Sequence, residues 1–394
     1  MGSTLNWPRP VSMVFAMDTP HSPPFLPVCR PQLPPAQAIA RYLEQADATR
    51  HYTNRGPLVQ RLEARLADRF HLATHCVRTA STGTSAIEIA VLATAGPARP
   101  DRPLALLPSY TFAATALAVE RLGYRPLMVD IDPVTWAMDL DAAARHPDLD
   151  RVGVIVQVAP FGRRHDLAGA EALLQTTGIP VVIDAAASFE SMLDAAPHVS
   201  KTVPVTLSFH ATKTFSTGEG GAVIWDNPAG AEALIRAANF GFNYSRRSDS
   251  AGTNAKLSEI HAAVGHAMLD SFDQRRQDYA ATLHQWRKAL QPLPGRVHLA
   301  PDLASVYVLW EAPGAADLTL AQNALTAANI DSRLWYETGL HLMPHFAGPA
   351  GQSHPVTESM GGRLLGLPMA HDLARSQIDR VVTTILAALM TTRL

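Results

Sequence analysis

The chain has 394 residues, 47% of them hydrophobic and 17% charged, and its 33 basic against 35 acidic side chains leave a formal charge of −2. That is the make-up of an ordinary globular protein, which excludes a disordered chain and wholesale binding to nucleic acid or an anionic membrane surface, since both need a surplus of Lys and Arg. No apolar run approaches the ~18–20 residues of a membrane span, and Cys29 and Cys76 build neither a disulfide framework nor a CxxC or Cys/His zinc signature. With no signal-like N-terminus, the expectation is a cytoplasmic protein with two incidental thiols and no metal.

Residues 1–35 are rich in proline and read as a loose arm packed only near its end. Asn54-Arg55-Gly56-Pro57, followed by Leu58, Leu62 and Leu66, predicts a turn and an amphipathic helix. From residue 77 to about 226, short apolar runs at Leu104–Leu107, Pro126–Val129, Val152–Val158, Pro180–Ile183, Val203–Phe209 and Ala222–Trp225 alternate with helical stretches such as Ser85–Leu92 and Thr111–Arg121. That alternation predicts an α/β domain with a mostly parallel sheet, whose ligand site lies just beyond the strand ends. After residue 255 the pattern becomes a long helix, then mixed elements up to a last helix at Gln377–Leu389. The expected organisation is an arm at 1–35, a large α/β domain at 36–254 and a smaller α+β domain at 255–394.

Three segments carry candidate chemistry. Ser81-Thr82-Gly83-Thr84-Ser85-Ala86 is a hydroxyl-rich turn opening an apolar helix, suited to a phosphate or to plain helix capping; it has no P-loop lysine. Asp184 ends an apolar strand, where a carboxylate holds a cationic ring nitrogen or simply starts a turn. Lys213 closes Ser208-Phe209-His210-Ala211-Thr212-Lys213 ahead of the glycine-rich Gly218–Val223, and is either a Schiff-base lysine or a solvated charge. Together they supply the three anchors of pyridoxal phosphate: phosphate, ring nitrogen and aldehyde carbon. Phe112, just after another strand, can stack on the ring or fill the core. Arg163-Arg164-His165 is a basic turn for substrate phosphates or a solvated loop. His341 and His345 are not read as metal ligands, because Pro344 opposes a helix between them.

These motifs, with Thr53–Pro57, Pro108–Phe112, Val129–Pro133, Asp184-Ala185-Ala186, Gly252–Glu259 and Trp335–His341, resemble the sugar-aminotransferase family of fold-type-I pyridoxal-phosphate enzymes, which act on nucleotide-linked keto-sugars. The resemblance implies Lys213 as the Schiff-base residue and Asp184 as the partner of the pyridinium nitrogen. It implies that Gly83, Thr84, Ser85 and Ser208 bind the phosphate and that Phe112 stacks on the ring. Asn254 matches a position that reaches the neighbouring subunit's phosphate, implying a homodimer with shared active sites, while Arg333, Tyr336 and His341 match the segment lining the sugar-nucleotide entrance. Many family members read Asp-Ala-Ala-Gln, the glutamine touching the cofactor's phenolic oxygen; Ala187 stands here, leaving that contact to Ser188 or a water. Ser208–Lys213 and Asn239–Phe242 look most similar to enzymes that make 4-amino-4,6-dideoxyglucose on dTDP. The implied reaction is ping-pong transfer of an amino group from L-glutamate to a dTDP-4-keto-6-deoxyhexose through pyridoxamine phosphate, for deoxyamino-sugar biosynthesis. A transaminase of a cyclitol or other non-nucleotide ketone shares every cofactor motif, and a cofactor-binding regulator without turnover is the reading from another class. Lys213 argues against the relatives that carry histidine there and act as dehydratases.

Overall fold

The computed structural model describes residues 24–193, 199–242, 245–347 and 353–391; residues 1–23 of the proline-rich arm lie outside them. Seven strands, β1 (Val77–Ala80), β2 (Leu104–Pro108), β3 (Arg125–Val129), β4 (Val152–Val158), β5 (Val181–Asp184), β6 (Val205–Ser208) and β7 (Gly221–Ile224), form one sheet. Its order is β1-β7-β6-β5-β4-β2-β3, with β7 antiparallel to both neighbours and the other pairs parallel. Helices cover both faces, which is why these strands read as apolar runs without alternation. Leu104, Leu106, Val181 and Ile183 pack on one face, beside helices Pro57–Arg69 and Glu259–Ala289. Ala105, Leu107 and Val182 pack on the other, beside helices Gly83–Thr94 and Ala113–Glu120.

A second, antiparallel sheet of order β10-β9-β8 is formed by β8 (Arg296–His298), β9 (Leu309–Glu311) and β10 (Leu364–Gly366). Helices Ala315–Ala327 and Arg375–Thr391 pack on it around Trp286, Trp310 and Ile385. The arm joins here: Leu26 and Cys29 bridge to Ile330 and Met369. The 31-residue helix Glu259–Ala289 serves both cores, with Ala263 and Met268 under the large sheet and Leu283 and Trp286 under the small one. The α/β architecture expected from the sequence, a large mostly parallel sheet plus a smaller α+β unit, is the one observed.

The helix over 57–69 starts on a carboxylate two hundred residues away. Glu259, fully buried, accepts hydrogen bonds from Leu58 N (2.7 Å) and Val59 N (2.9 Å), satisfying two of the orphan donors of that helix. Two turns on, His266 Nε2 donates to Leu58 O at 3.0 Å; its Nδ1 must therefore accept from Arg65 Nη1, also at 3.0 Å. Burial pushes the His266 pKa down to about 4, so the native ring stays neutral where the unfolded one, near 6.5, gains a proton. Its contribution is complete above pH 6.5 and is lost as the pH falls towards 4, a cost of about 3 kcal/mol by linkage. Urea melts of His266→Gln are expected to lose less stability between pH 6.5 and 4 than wild type; parallel pH slopes would contradict this.

Candidate active site

Six strands point their carboxyl ends at one edge of the large sheet, and the candidate residues follow those ends. Ser81 follows β1, Ser109 follows β2, Asp184 ends β5 and Ser208 ends β6. The turn after Ser81 opens the helix Gly83–Thr94 through a capping box: Ser85 N donates to Thr82 Oγ1 at 3.0 Å and Thr82 N to Ser85 Oγ at 2.9 Å. Gly83 has no room for a side chain, since a Cβ there would lie 2.7 Å from Ser208 Cβ and 2.9 Å from its Oγ. The helix N-terminus and the end of β6 are thereby pressed together into one cradle of hydroxyls and backbone N–H groups.

Asp184 is buried and its carboxylate is held at both oxygens. Thr115 Oγ1 donates to Oδ2 at 2.7 Å and Ala186 N donates to Oδ1 at 3.1 Å, while Thr111 and Thr115 share a hydroxyl contact of 2.9 Å. Burial raises the Asp184 pKa against the lowering effect of these donors and of Lys213. Burial likewise lowers the Lys213 pKa against the raising effect of Asp184, favouring the free amine that acts as a nucleophile. Lys213 Nζ donates to Tyr307 Oη at 3.3 Å. Tyr307 opens an aromatic wall: its ring meets Phe161 edge-on at 5.4 Å, Phe161 stacks on Tyr336 at 4.7 Å, and Tyr336 meets Tyr110 at 4.9 Å. Phe112 stands apart, 62% exposed at the start of helix Ala113–Glu120.

The remaining residues singled out from the sequence separate into two groups. Thr84 lies in the first turn of the cradle helix, and Arg333 lies 5.1 Å over Trp335. Asn254 is exposed beside the cradle, where its Oδ1 accepts from Lys256 Nζ at 2.6 Å and the next residue's carbonyl accepts from Ser81 N at 2.7 Å. His341, by contrast, is buried between Ser109 Oγ on Nδ1 and Glu358 Oε1, 3.2 Å from Nε2, so neither ring nitrogen is left for a ligand. It fastens the 340–342 turn to the end of β2. Ser188 donates its hydroxyl to Arg163 O at 3.1 Å and is fully buried, so it does not stand in for the missing glutamine. Arg163 is tied to Val134 O at 2.8 Å and lies 3.9 Å over Trp136. The basic turn lines a separate cavity of about 820 Å³, bordered by Gln157, His165 and Ser305 and by none of Lys213, Asp184 or Tyr307.

The profile of the DegT/DnrJ/EryC1/StrS aminotransferase family matches residues 36–386. The chain belongs to this family. It is 31% identical over 372 residues to Protein Rv3402c of Mycobacterium tuberculosis, covering 92% of this chain and 90% of that one. It is 27% identical over 368 residues to dTDP-4-amino-4,6-dideoxy-D-glucose transaminase of Shigella dysenteriae, covering 91% and 97%. Among solved structures, DesI in the presence of its TDP-sugar product superposes with a TM-score of 0.79 at 31% identity, over 94% of this chain and 95% of that one.

Membership of this aminotransferase family implies pyridoxal phosphate, and the residues present fit it. A cradle that a single Cβ would fill suits a phosphate, a buried carboxylate suits a protonated ring nitrogen, and a buried amine suits an aldehyde carbon. Thr115, Tyr307 and Phe161 were not found by sequence reasoning. Thr111 and Thr115, four apart in an otherwise apolar stretch, were the available signal for the first; Tyr307, between Val306 and Val308, reads as core. Gly83→Ala is expected to keep the fold but weaken cofactor binding about tenfold or more, about 1.4 kcal/mol, as read by equilibrium dialysis; unchanged affinity would remove the cradle from the account.

Proposed function

We propose that this aminotransferase is a homodimer that carries pyridoxal phosphate and moves an amino group from L-glutamate to a nucleotide-linked keto-sugar, with a dTDP-4-keto-6-deoxyhexose as acceptor. The observation that carries the reading is the buried carboxylate of Asp184 at the end of β5, next to the end of β6 where Ser208 and Gly83 make the cradle, with the buried amine of Lys213 following in the same turn. The dTDP-sugar named for the Shigella relative and the TDP-sugar product named for DesI support the acceptor class. When bound, the cofactor supplies a carbonyl carbon for the amino group and a ring that accepts the electron pair released at the donor's α-carbon.

The chain's own residues then have separate tasks. The first turn of helix Gly83–Thr94 and Ser208 bind the phosphate, as hydroxyls and N–H groups at a positive helix end do. Asp184, steadied by Thr115, holds a proton at the ring nitrogen. The Lys213 amine would bond the aldehyde carbon and, when free, would carry a proton between carbon atoms; burial, by lowering its pKa, favours the neutral amine that accepts that proton. Phe112 would cover the ring, and Tyr307, Phe161 and Tyr336 would form an apolar wall beside Lys213 that excludes water. Arg333 and Tyr336 line the approach of the sugar nucleotide, and Asn254 completes the partner's phosphate site.

The test is stoichiometric. Purified enzyme with L-glutamate and dTDP-4-keto-6-deoxyglucose is expected to release one 2-oxoglutarate for each amino-sugar nucleotide formed. Turnover with a keto-cyclitol but not with any keto-sugar nucleotide would overturn the acceptor class, and absence of turnover with every ketone would favour a non-catalytic regulator.

A further inference from the structure

At the opposite edge of the large sheet, three chemically different ligand groups converge. His75 and Cys76 immediately precede β1, and Asp226 follows β7; the backbone bond from Trp225 N to Cys76 O, 2.8 Å, joins the two segments. His75 Nε2 lies 3.3 Å from Asp226 Oδ1, Cys76 Sγ lies 3.4 Å from the same oxygen, and Sγ and Nε2 are 3.7 Å apart. A tetrahedral zinc ion with bonds of about 2.3 Å to sulfur and about 2.0 Å to nitrogen and oxygen sets those edges at about 3.3 Å for N···O and about 3.5 Å for both S···O and S···N. Each observed edge agrees to within about 0.2 Å, so the spacing of the three donor atoms already matches that around a bound ion, which would replace the Cys76–Asp226 hydrogen bond.

We infer that His75, Cys76 and Asp226 form a zinc site, with solvent in the fourth position. The donor set selects the metal: thiolate, imidazole and carboxylate together suit Zn²⁺ and are foreign to Mg²⁺ or Ca²⁺, which take oxygen alone. Cys76 is buried, while the side chains of His75 and Asp226 are 37% and 40% exposed, so two of the three groups reach solvent. Among the described residues no other group of three His, Cys, Asp or Glu side chains comes together in this way. The site is structural: four residues of β1, about 13 Å of chain, separate it from Ser81 and the cradle, so the ion clamps the β1 and β7 ends and takes no part in amino transfer. On binding, the Cys76 Sγ–H bond breaks, its proton passes to solvent and the sulfur's electron pair goes to the metal. Without metal the thiol is quiet, because burial and the Asp226 carboxylate hold its pKa up at about 11.

The test uses the untagged, cofactor-loaded protein after dialysis against a chelator. Titration with Co²⁺ is expected to give one equivalent with a sulfur-to-cobalt charge-transfer band and the visible bands of a tetrahedral ion, and Zn²⁺ is expected to displace it. Cys76→Ser is expected to abolish the charge-transfer band. Because a buried substitution can unfold the chain, His75→Gln and Asp226→Asn serve as the second pair: each is expected to weaken Zn²⁺ binding about 10–100-fold or more while transamination without metal stays at the wild-type rate. Absence of a stoichiometric site, a cobalt spectrum without the sulfur band, or equal affinity in wild type and both half-exposed variants would each overturn the proposal.

Discussion

Replacement of Lys213 by alanine is expected to lower kcat by about 10⁴-fold or more, because the variant loses the nucleophile and the proton carrier in one side chain. The fold has little reason to suffer: the lysine is a buried amine whose pKa burial lowers, and its side chain's hydrogen bond is to Tyr307. The phosphate cradle, made by Gly83 and Ser208, is untouched, so the variant is expected to keep weak, dialysable cofactor binding. Partial rescue of turnover by added ethylamine would show that a missing amine, not a damaged pocket, is responsible. Wild-type melting temperature with lost activity is the expected pair of results; activity within tenfold of wild type would remove Lys213 from its assigned role.

Asp184→Asn is the second large effect, an expected fall in kcat of about 10³-fold. Asparagine keeps an oxygen to accept from Thr115 Oγ1 and fills the same volume at the end of β5; what disappears is the negative charge that keeps the ring nitrogen protonated, together with the acceptor for Ala186 N. Thr115→Val, which removes the donor but leaves the charge, is expected to cost about tenfold. An order reversed, with Thr115→Val worse than Asp184→Asn, would mean that Asp184 matters for packing and not for its charge. Steady-state rates of 2-oxoglutarate release measure both.

The parts of the site that were legible in the sequence are those carried by strand ends. β2 and β4 read clearly because burial on both faces forces an apolar run, and residues just beyond such runs, Asp184, Ser208 and Lys213, stand out as polar interruptions. β1 was not legible: Val77-Arg78-Thr79-Ala80 is short and polar, and its Thr79 N and Oγ1 both donate to Glu63 Oε1 at 3.0 Å, a contact from another element. The aromatic wall was hidden for a different reason. Phe161 and Tyr307 are 146 residues apart in the chain, and Phe161 holds φ +56°, a left-handed backbone that no local preference of phenylalanine foretells. His341 shows the opposite failure: its segment pointed to a substrate entrance, whereas Ser109, 232 residues away, and Glu358 occupy its ring.

The most direct test of the central claim is the visible absorbance of the protein loaded with pyridoxal phosphate and passed through gel filtration, then titrated with L-glutamate and afterwards with dTDP-4-keto-6-deoxyglucose. A protein-bound cofactor band that bleaches with glutamate and returns with the keto-sugar is the expected result, joining both half-reactions to Lys213 in one cuvette. Cofactor that elutes free of the protein, or a bound band that glutamate leaves unchanged, would contradict it.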